Sequence, residues 1–299
     1  MTATMPTRRA GAAVAALVAN TLIVLTGALV RLTGSGLGCP TWPRCTSGSF
    51  VTTAEMGVHG VVEFGNRMLG IVVGLVTLTV VVVLLRDRNR PRWSLPLAIG
   101  VLAGVGVQGM IGGLSVRRAL APEIVAGHFL ASMILIAALT VLIDLLRRPH
   151  AAFRLPADPW TRLTVVTLPV VLTTVLILGT LVTGSGPHAG DDTARRLGLD
   201  AAVLTTAHAV AVLLLVGVQA ASLLFARAAR PVRRAALMLL AVTLVQGVIG
   251  SVQNTLALPV PMVAAHVVTA ALIVIAATHL VARAVRTTGD RHDSPEGRT

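Results

Sequence analysis

The chain has 299 residues, 55% of them hydrophobic and 12% charged, and its mean hydropathy is +0.83. That is the balance of a membrane protein, and it excludes a pair of ordinary soluble domains of the same length. The net charge is +13 and all 25 basic residues are arginine. They lie in short clusters between apolar runs rather than on one soluble face, which argues against nucleic-acid binding and makes them topology signals.

Cutting the chain at charge clusters and Pro/Gly punctuation leaves eight apolar runs, at 13–30, 60–85, 95–114, 123–146, 163–183, 201–226, 235–251 and 262–282. Most are near the ~20 residues a spanning helix needs. The seventh is short, and is either extended into Ser251 to Leu256 or a tilted or re-entrant piece. With loops assigned alternately, eighteen arginines, from Arg8 and Arg9 to Arg291 and Arg298, share one side. That side is read as the cytoplasm of a cell-membrane protein with both termini inside, and the loops after helices 1, 3, 5 and 7 are external. The first run lacks a clear small-residue cleavage site and is expected to be retained.

Helix 1 ends at Arg31 and opens a Gly- and Pro-rich external loop, Leu32 to Cys45, which carries the only two cysteines, Cys39 and Cys45. Six residues apart in an oxidising compartment, they are expected to form a disulfide, either a staple or a redox-active pair. Helix 2 begins after His59 and carries Glu63, Asn66 and Arg67 in its first two turns. Such groups are costly in lipid and normally mark function. Glu63 and Arg67 are also spaced i, i+4, so they read either as a self-neutralising ion pair or as a proton-handling acid beside an anchor for an anionic group such as a propionate.

Val107-Gln108-Gly109-Met110-Ile111-Gly112, with His128 twenty residues after the glutamine, is written again as Val245-Gln246-Gly247-Val248-Ile249-Gly250 with His266 at the same spacing. Each copy is read as an apolar segment, a glutamine-glycine turn and a histidine near the start of the next segment. Helix 5 ends in Thr183-Gly184-Ser185-Gly186, echoing Thr33-Gly34-Ser35-Gly36 after helix 1. The expected fold is therefore an all-α integral membrane protein of eight transmembrane helices in two parallel-repeat four-helix bundles. The division is 1–150, 151–286 and a disordered cytoplasmic tail at 287–299. The halves diverge after the echo, where Pro187 to Asp192 replaces the cysteine loop. No nucleotide fingerprint, zinc signature or nucleophile elbow appears.

Helices 2, 4, 6 and 8 all run inward, and Asn66, His128, His208 and His266 lie some five to eight residues down them, roughly 6 to 12 Å deep at ~1.5 Å per residue. The pairs fall within halves, Asn66 with His128 and His208 with His266. Two histidines on facing helices at matched depth are the arrangement that ligates a haem iron axially. A single membrane histidine is more often a hydrogen-bonding residue between helices, but the recurrence favours haem. His279, thirteen residues after His266, faces away; His150 and His292 lie in arginine-rich segments; His59 and His188 are external, near the pockets.

Together, the two four-helix units, the Cys39-to-Cys45 loop after TGSG, Glu63 to Arg67, TGSGPHAGD at Thr183 to Asp191 and the histidines on helices 4, 6 and 8 resemble the haem A synthase family. The resemblance runs from helix 1 to helix 8. It implies oxidation of the ring methyl of haem O to a formyl group, giving haem A for terminal oxidases, with haem b as resident cofactor. His208 and His266 would hold haem b, His128 would face the substrate haem, Glu63 would be the essential acid of helix 2, and Cys39 and Cys45 the external disulfide. Implied partners are haem O and haem A, a haem O synthase, terminal-oxidase assembly and the lipid membrane, but no nucleic acid. One position departs: the family's helix 2 motif reads Glu-x-x-His-Arg, and here Asn66 stands at the histidine. Either His128 alone binds the substrate iron and leaves a coordination position open, or His59 enters from the loop. The first is preferred, because seven residues of helix put His59 ~10 Å nearer the surface. The competing classes are a membrane haem b electron carrier or haem-handling protein, and a transporter.

Overall fold

The computed structural model describes residues 5–188, 190–191 and 193–287. Among them are eight helices long and apolar enough to cross a membrane: α1 (Met5–Leu32), α2 (Gly57–Leu85), α3 (Ser94–Arg117), α4 (Pro122–Arg147), α5 (Pro159–Ser185), α6 (Ala201–Phe225), α7 (Arg230–Thr255) and α8 (Val260–Val285). Their starts follow from local chemistry. The Asp158 carboxylate accepts the Thr161 N–H at 2.7 Å and caps α5, and Asp200 accepts the N–H groups of Ala202 and Val203 to cap α6. Proline occupies the first turn of α4, α5, α7 and α8, where its missing N–H costs nothing. Large apolar side chains such as Leu75, Leu213 and Met238 are exposed along the spans, as they must be where the solvent is lipid.

The structure departs from the sequence reading at some points and decides others that it left open. Gln108-Gly109 and Gln246-Gly247 are not turns but lie inside α3 and α7. A glycine costs a helix roughly 1 kcal/mol, but lipid demands that every backbone group be paired within the chain, and the helix supplies that. The seventh helix takes the long form, Arg230–Thr255. The second TGSG stretch is helical through Ser185, and only Gly186 leaves α5. Helix 2 starts at Gly57, so His59 lies inside its first turn rather than before it. The tail expected to be disordered lies outside the described residues from 288 onward, whereas Thr287 ends a short strand. This strand, β2 (Arg286–Thr287), pairs antiparallel with β1 (Ala152–Phe153).

The true turns repeat. Ala119 and Leu120 after α3, and Ala257 and Leu258 after α7, are consecutive non-glycine residues with φ between 48° and 62°. Each costs roughly 1–2 kcal/mol in the left-handed region. The turns are held by Leu120 N–H to the Ser115 carbonyl (2.8 Å) and Leu258 N–H to the Gln253 carbonyl (2.7 Å).

In the first half α1 packs on α2 and α4, and α3 on α2 and α4, so α2 and α4 face one another diagonally; α5 to α8 make the same ring, with α6 and α8 diagonal. The rings meet along α4–α8, α1–α8 and α4–α5. The apolar core crosses that seam: Val24 of α1 and Met133 and Ile136 of α4 belong to the cluster of Leu168, Leu215, Leu239 and Ala271. At one end of the seam, buried Asp144 of α4 receives both Arg148 and Arg286, the latter at 2.7 Å, while Arg148 donates to the carbonyls of Arg286 and Ala282. At the other end, Gly36 N–H donates to the Gly190 carbonyl (2.9 Å) and Arg31 to the Thr183 carbonyl (2.8 Å).

Candidate functional site

Counted from the first residue of their helices, His128, His208 and His266 lie six, seven and six residues down and Asn66 nine, since α2 begins early. That is roughly 9 to 14 Å at 1.5 Å per residue. Each side chain leans on the odd-numbered helix beside it. The His208 Nδ1 lies 3.1 Å from the Val175 carbonyl of α5. A carbonyl can only accept, so Nδ1 carries the proton and Nε2 keeps its lone pair. His128 lies against α3 and His266 against α7, and their Nδ1 atoms are buried without a hydrogen-bond partner among the described residues.

Each ring faces a glycine of the neighbouring helix, and at two of them the approach leaves little room for a side chain. A Cβ at Gly179 of α5 would sit 3.2 Å from the His208 ring, one at Gly250 of α7 3.0 Å from His266, and one at Gly112 of α3 3.6 Å from His128. The Gln108 Nε2 donates to the His128 carbonyl and the Gln246 Nε2 to the His266 carbonyl, both at 2.9 Å. The duplicated motif therefore encodes a helix face: the glutamine and the second glycine are spaced i, i+4 and both meet the histidine. These contacts were missed in sequence, although that spacing signalled them.

Asn66 is placed as His208 is, but on α1. Its Oδ1 accepts the Thr26 hydroxyl at 2.7 Å. Thr26 was not anticipated, and nothing in its sequence neighbourhood marks it. Asn66 Nδ2 has no protein acceptor among the described residues.

Glu63 and Arg67 are paired at 2.5 Å, and both face the cysteine loop. The other Glu63 oxygen accepts the Cys39 N–H at 2.6 Å, and Arg67 donates to the carbonyls of Cys39 (3.0 Å), Thr41 (3.0 Å) and Arg44 (3.3 Å). Cys39 and Cys45 are disulfide-bonded and fully buried. Gly38 crosses the backbone of His59 and Gly60 so closely that a Cβ would collide with it. Farther round, the Trp42 indole covers Gly113 of α3 and its carbonyl accepts from Arg117 at 3.2 Å.

His59 Nδ1 is 2.9 Å from the Ser35 hydroxyl, in a polar cleft of about 500 Å³ shared with Thr33 and Asp191. Asp191 is held below the usual carboxylate range, first by the Thr193 hydroxyl and then by the Thr193 N–H. His188 donates its Nε2 proton to the Leu258 carbonyl at 3.0 Å, bracing the second left-handed turn. His279 lies on α8 toward Arg283, away from these groups.

The fold and site define a class: a multi-pass helical membrane protein with three imidazoles and one amide near one level of its even-numbered helices, and a disulfide-stapled loop seated on α2. Residues 11–190, more than half the chain, match the COX15-CtaA family model, described as cytochrome oxidase assembly protein. The chain belongs to this family. It is similar to proteins named "Heme A synthase" in Symbiobacterium thermophilum (34% identical over 137 residues, 45% of this chain and 44% of that one) and Shewanella oneidensis (32% over 149 residues, 45% and 44%). Another in Alkalihalophilus pseudofirmus is 29% identical over 122 residues, 40% of each chain. The aligned stretch thus spans less than half the length of these relatives.

Proposed function

We propose that the protein is a haem A synthase, an oxidoreductase that converts the ring methyl of haem O to the formyl group of haem A. The observation that carries this reading is the set of three imidazoles on α4, α6 and α8, each facing a glycine of the neighbouring helix, with a Cβ at Gly179 or Gly250 pressing on the ring of His208 or His266. The donor set suits haem: imidazoles on facing helices, with Nε2 of His208 left free by the Val175 contact.

His208 and His266 are the residues for a resident haem b, which when bound supplies one-electron transfer. His128 is the residue for the substrate iron. Converting CH₃ and water to CHO releases four protons and four electrons, so the reaction needs a proton path and an electron acceptor. Glu63 is the acid nearest the substrate level. Its carboxylate is engaged by Arg67 and the Cys39 N–H, so it couples proton handling to the seating of the cysteine loop. Asn66 and Arg67 complete the proposed catalytic group on α2, Arg67 by holding the loop carbonyls. The clustering of arginines supports cytoplasmic termini in the cell membrane, and the duplicated glutamine contact and left-handed turn support two parallel repeats divided at about residue 150. Haem O synthase and terminal-oxidase assembly are the proposed partners. An electron carrier is not favoured, because such proteins commonly set two histidines about fourteen residues apart on one face of a helix, and His266 and His279 miss that register.

The test is extraction and chromatography of haems after co-expression with a haem O source, beside a His266→Ala control. Haem A or its hydroxylated precursor is expected only with the intact chain. Haem O left untouched while haem b is bound stoichiometrically would overturn the reading.

A further inference from the structure

The two halves place four side chains in one pattern. His208 leans on α5 and His266 on α7; Asn66 leans on α1 and His128 on α3. Three of the four are imidazoles and one is an amide, so the halves are alike in position and unlike in chemistry. An amide nitrogen has no lone pair to give a metal, because delocalisation into the carbonyl uses it. The Asn66 oxygen is already an acceptor for Thr26 at 2.7 Å. What Asn66 retains is an N–H₂ donor, steadied by a hydroxyl that also lies 3.2 Å from the Ile23 carbonyl.

We infer that the first-half site binds a small neutral diatomic ligand on the side of the substrate iron facing α2, with His128 on the opposite side and the Asn66 amide, set by Thr26, donating a hydrogen bond to the ligand. This rests on the proposed function, in which His128 binds a haem iron. A five-coordinate haem accepts such a ligand, and donors on the open side govern how it is held. The second half, with an imidazole from each diagonal helix, has no such position.

The neighbours on α2 do not close the site. Glu63, three residues before Asn66, is committed to Arg67 and Cys39. His59 is on the same face of α2, since seven residues make nearly two turns, but it is about 10 Å nearer the helix start and is engaged with Ser35 at 2.9 Å.

Carbon monoxide is the probe, added to the dithionite-reduced, haem-loaded full chain and followed by absorbance and by the infrared C–O stretch. The wild type is expected to bind CO at one of its haems, and His128→Ala to abolish that fraction together with first-half haem. Asn66→His should retain both haems, turn the first-half haem low-spin and lose CO binding. Asn66→Leu should keep CO binding with the C–O stretch moved to higher frequency, and Thr26→Val should shift it in the same sense by less. Asn66→Leu and the wild type carry the test if Asn66→His does not fold.

A wild type that is low-spin at both haems and binds no CO, while His128→Ala still lowers haem content, would overturn the open position and leave the proposed function standing. A C–O stretch identical in wild type and Asn66→Leu would remove the amide from the ligand's side. CO binding lost in His266→Ala rather than His128→Ala would place the site in the wrong half. Haem content unchanged by His128→Ala would overturn the haem reading of the first half itself.

Discussion

The glycines behind the histidines are a graded experiment already written into the chain. A Cβ at Gly250 would approach His266 to 3.0 Å and one at Gly179 would approach His208 to 3.2 Å, whereas one at Gly112 would stand 3.6 Å from His128, an ordinary van der Waals distance. Imidazole placement within a few tenths of an ångström matters to an axial ligand, while the helix itself gains roughly 1 kcal/mol when glycine becomes alanine. The expected order of damage is therefore Gly250→Ala first, Gly179→Ala second and Gly112→Ala last, the last with wild-type or higher thermal stability. Absorbance of the purified chain reads haem retention and spin state; equal losses at all three positions would show that the rings are not seated on these glycines.

Between α1 and α2 the disulfide loop is organised as a substructure on the first turns of α2, with Glu63 and Arg67 as its floor. Both are largely buried, so removing one partner strands the other, a loss of order 3 kcal/mol. Glu63→Gln is expected to leave Arg67 on the loop carbonyls but release the Cys39 N–H contact, and Arg67→Lys to keep charge but lose the fork that reaches Cys39, Thr41 and Arg44. In each variant the Cys39–Cys45 bond should be reduced faster by dithiothreitol than in wild type. An unchanged rate in both would mean that the pair does not hold the loop. The pairing itself was readable from i, i+4 spacing, as were eight apolar runs, the cysteines and the histidines. The rest was not, because it depends on which helices become neighbours. Nothing local tells that Thr26 meets Asn66 forty residues away, that Arg67 reads three carbonyls of a loop, or that Gln108 serves a histidine rather than a turn. The glutamine-glycine pair was misread for a related reason: Gly109 and Gly247 signal a turn in water, but here they sit inside helices with open space beside them, and the glycines that face the rings are Gly112 and Gly250, three residues on.

Across the whole molecule, the two rings are joined by a shared apolar seam and by one buried charge cluster in which Asp144 faces two arginines. The cluster carries an excess positive charge even when intact, and its second arginine, Arg286, comes from the far end of α8, so this one carboxylate pairs with arginines on both sides of the seam. A further buried pair near the same end, Arg9 with Asp87 at 2.6 Å, joins α1 only to the loop after α2 and so acts within the first ring. The two pairs should therefore fail differently. Asp87→Asn is expected to lower the stability of the first ring while the protein still unfolds as one unit. Asp144→Asn leaves two buried guanidinium groups sharing a neutral amide, a loss of about 3–5 kcal/mol concentrated where α4 meets α8, and the rings should then unfold separately. Thermal unfolding in detergent, followed at once by absorbance of the haem proposed at His208 and His266 for the second ring and by reactivity of a cysteine introduced in α2 for the first, would read this as two transitions in Asp144→Asn and one in Asp87→Asn. A single transition in Asp144→Asn would mean that the apolar seam through Val24, Met133 and Ile136 is enough by itself to couple the halves.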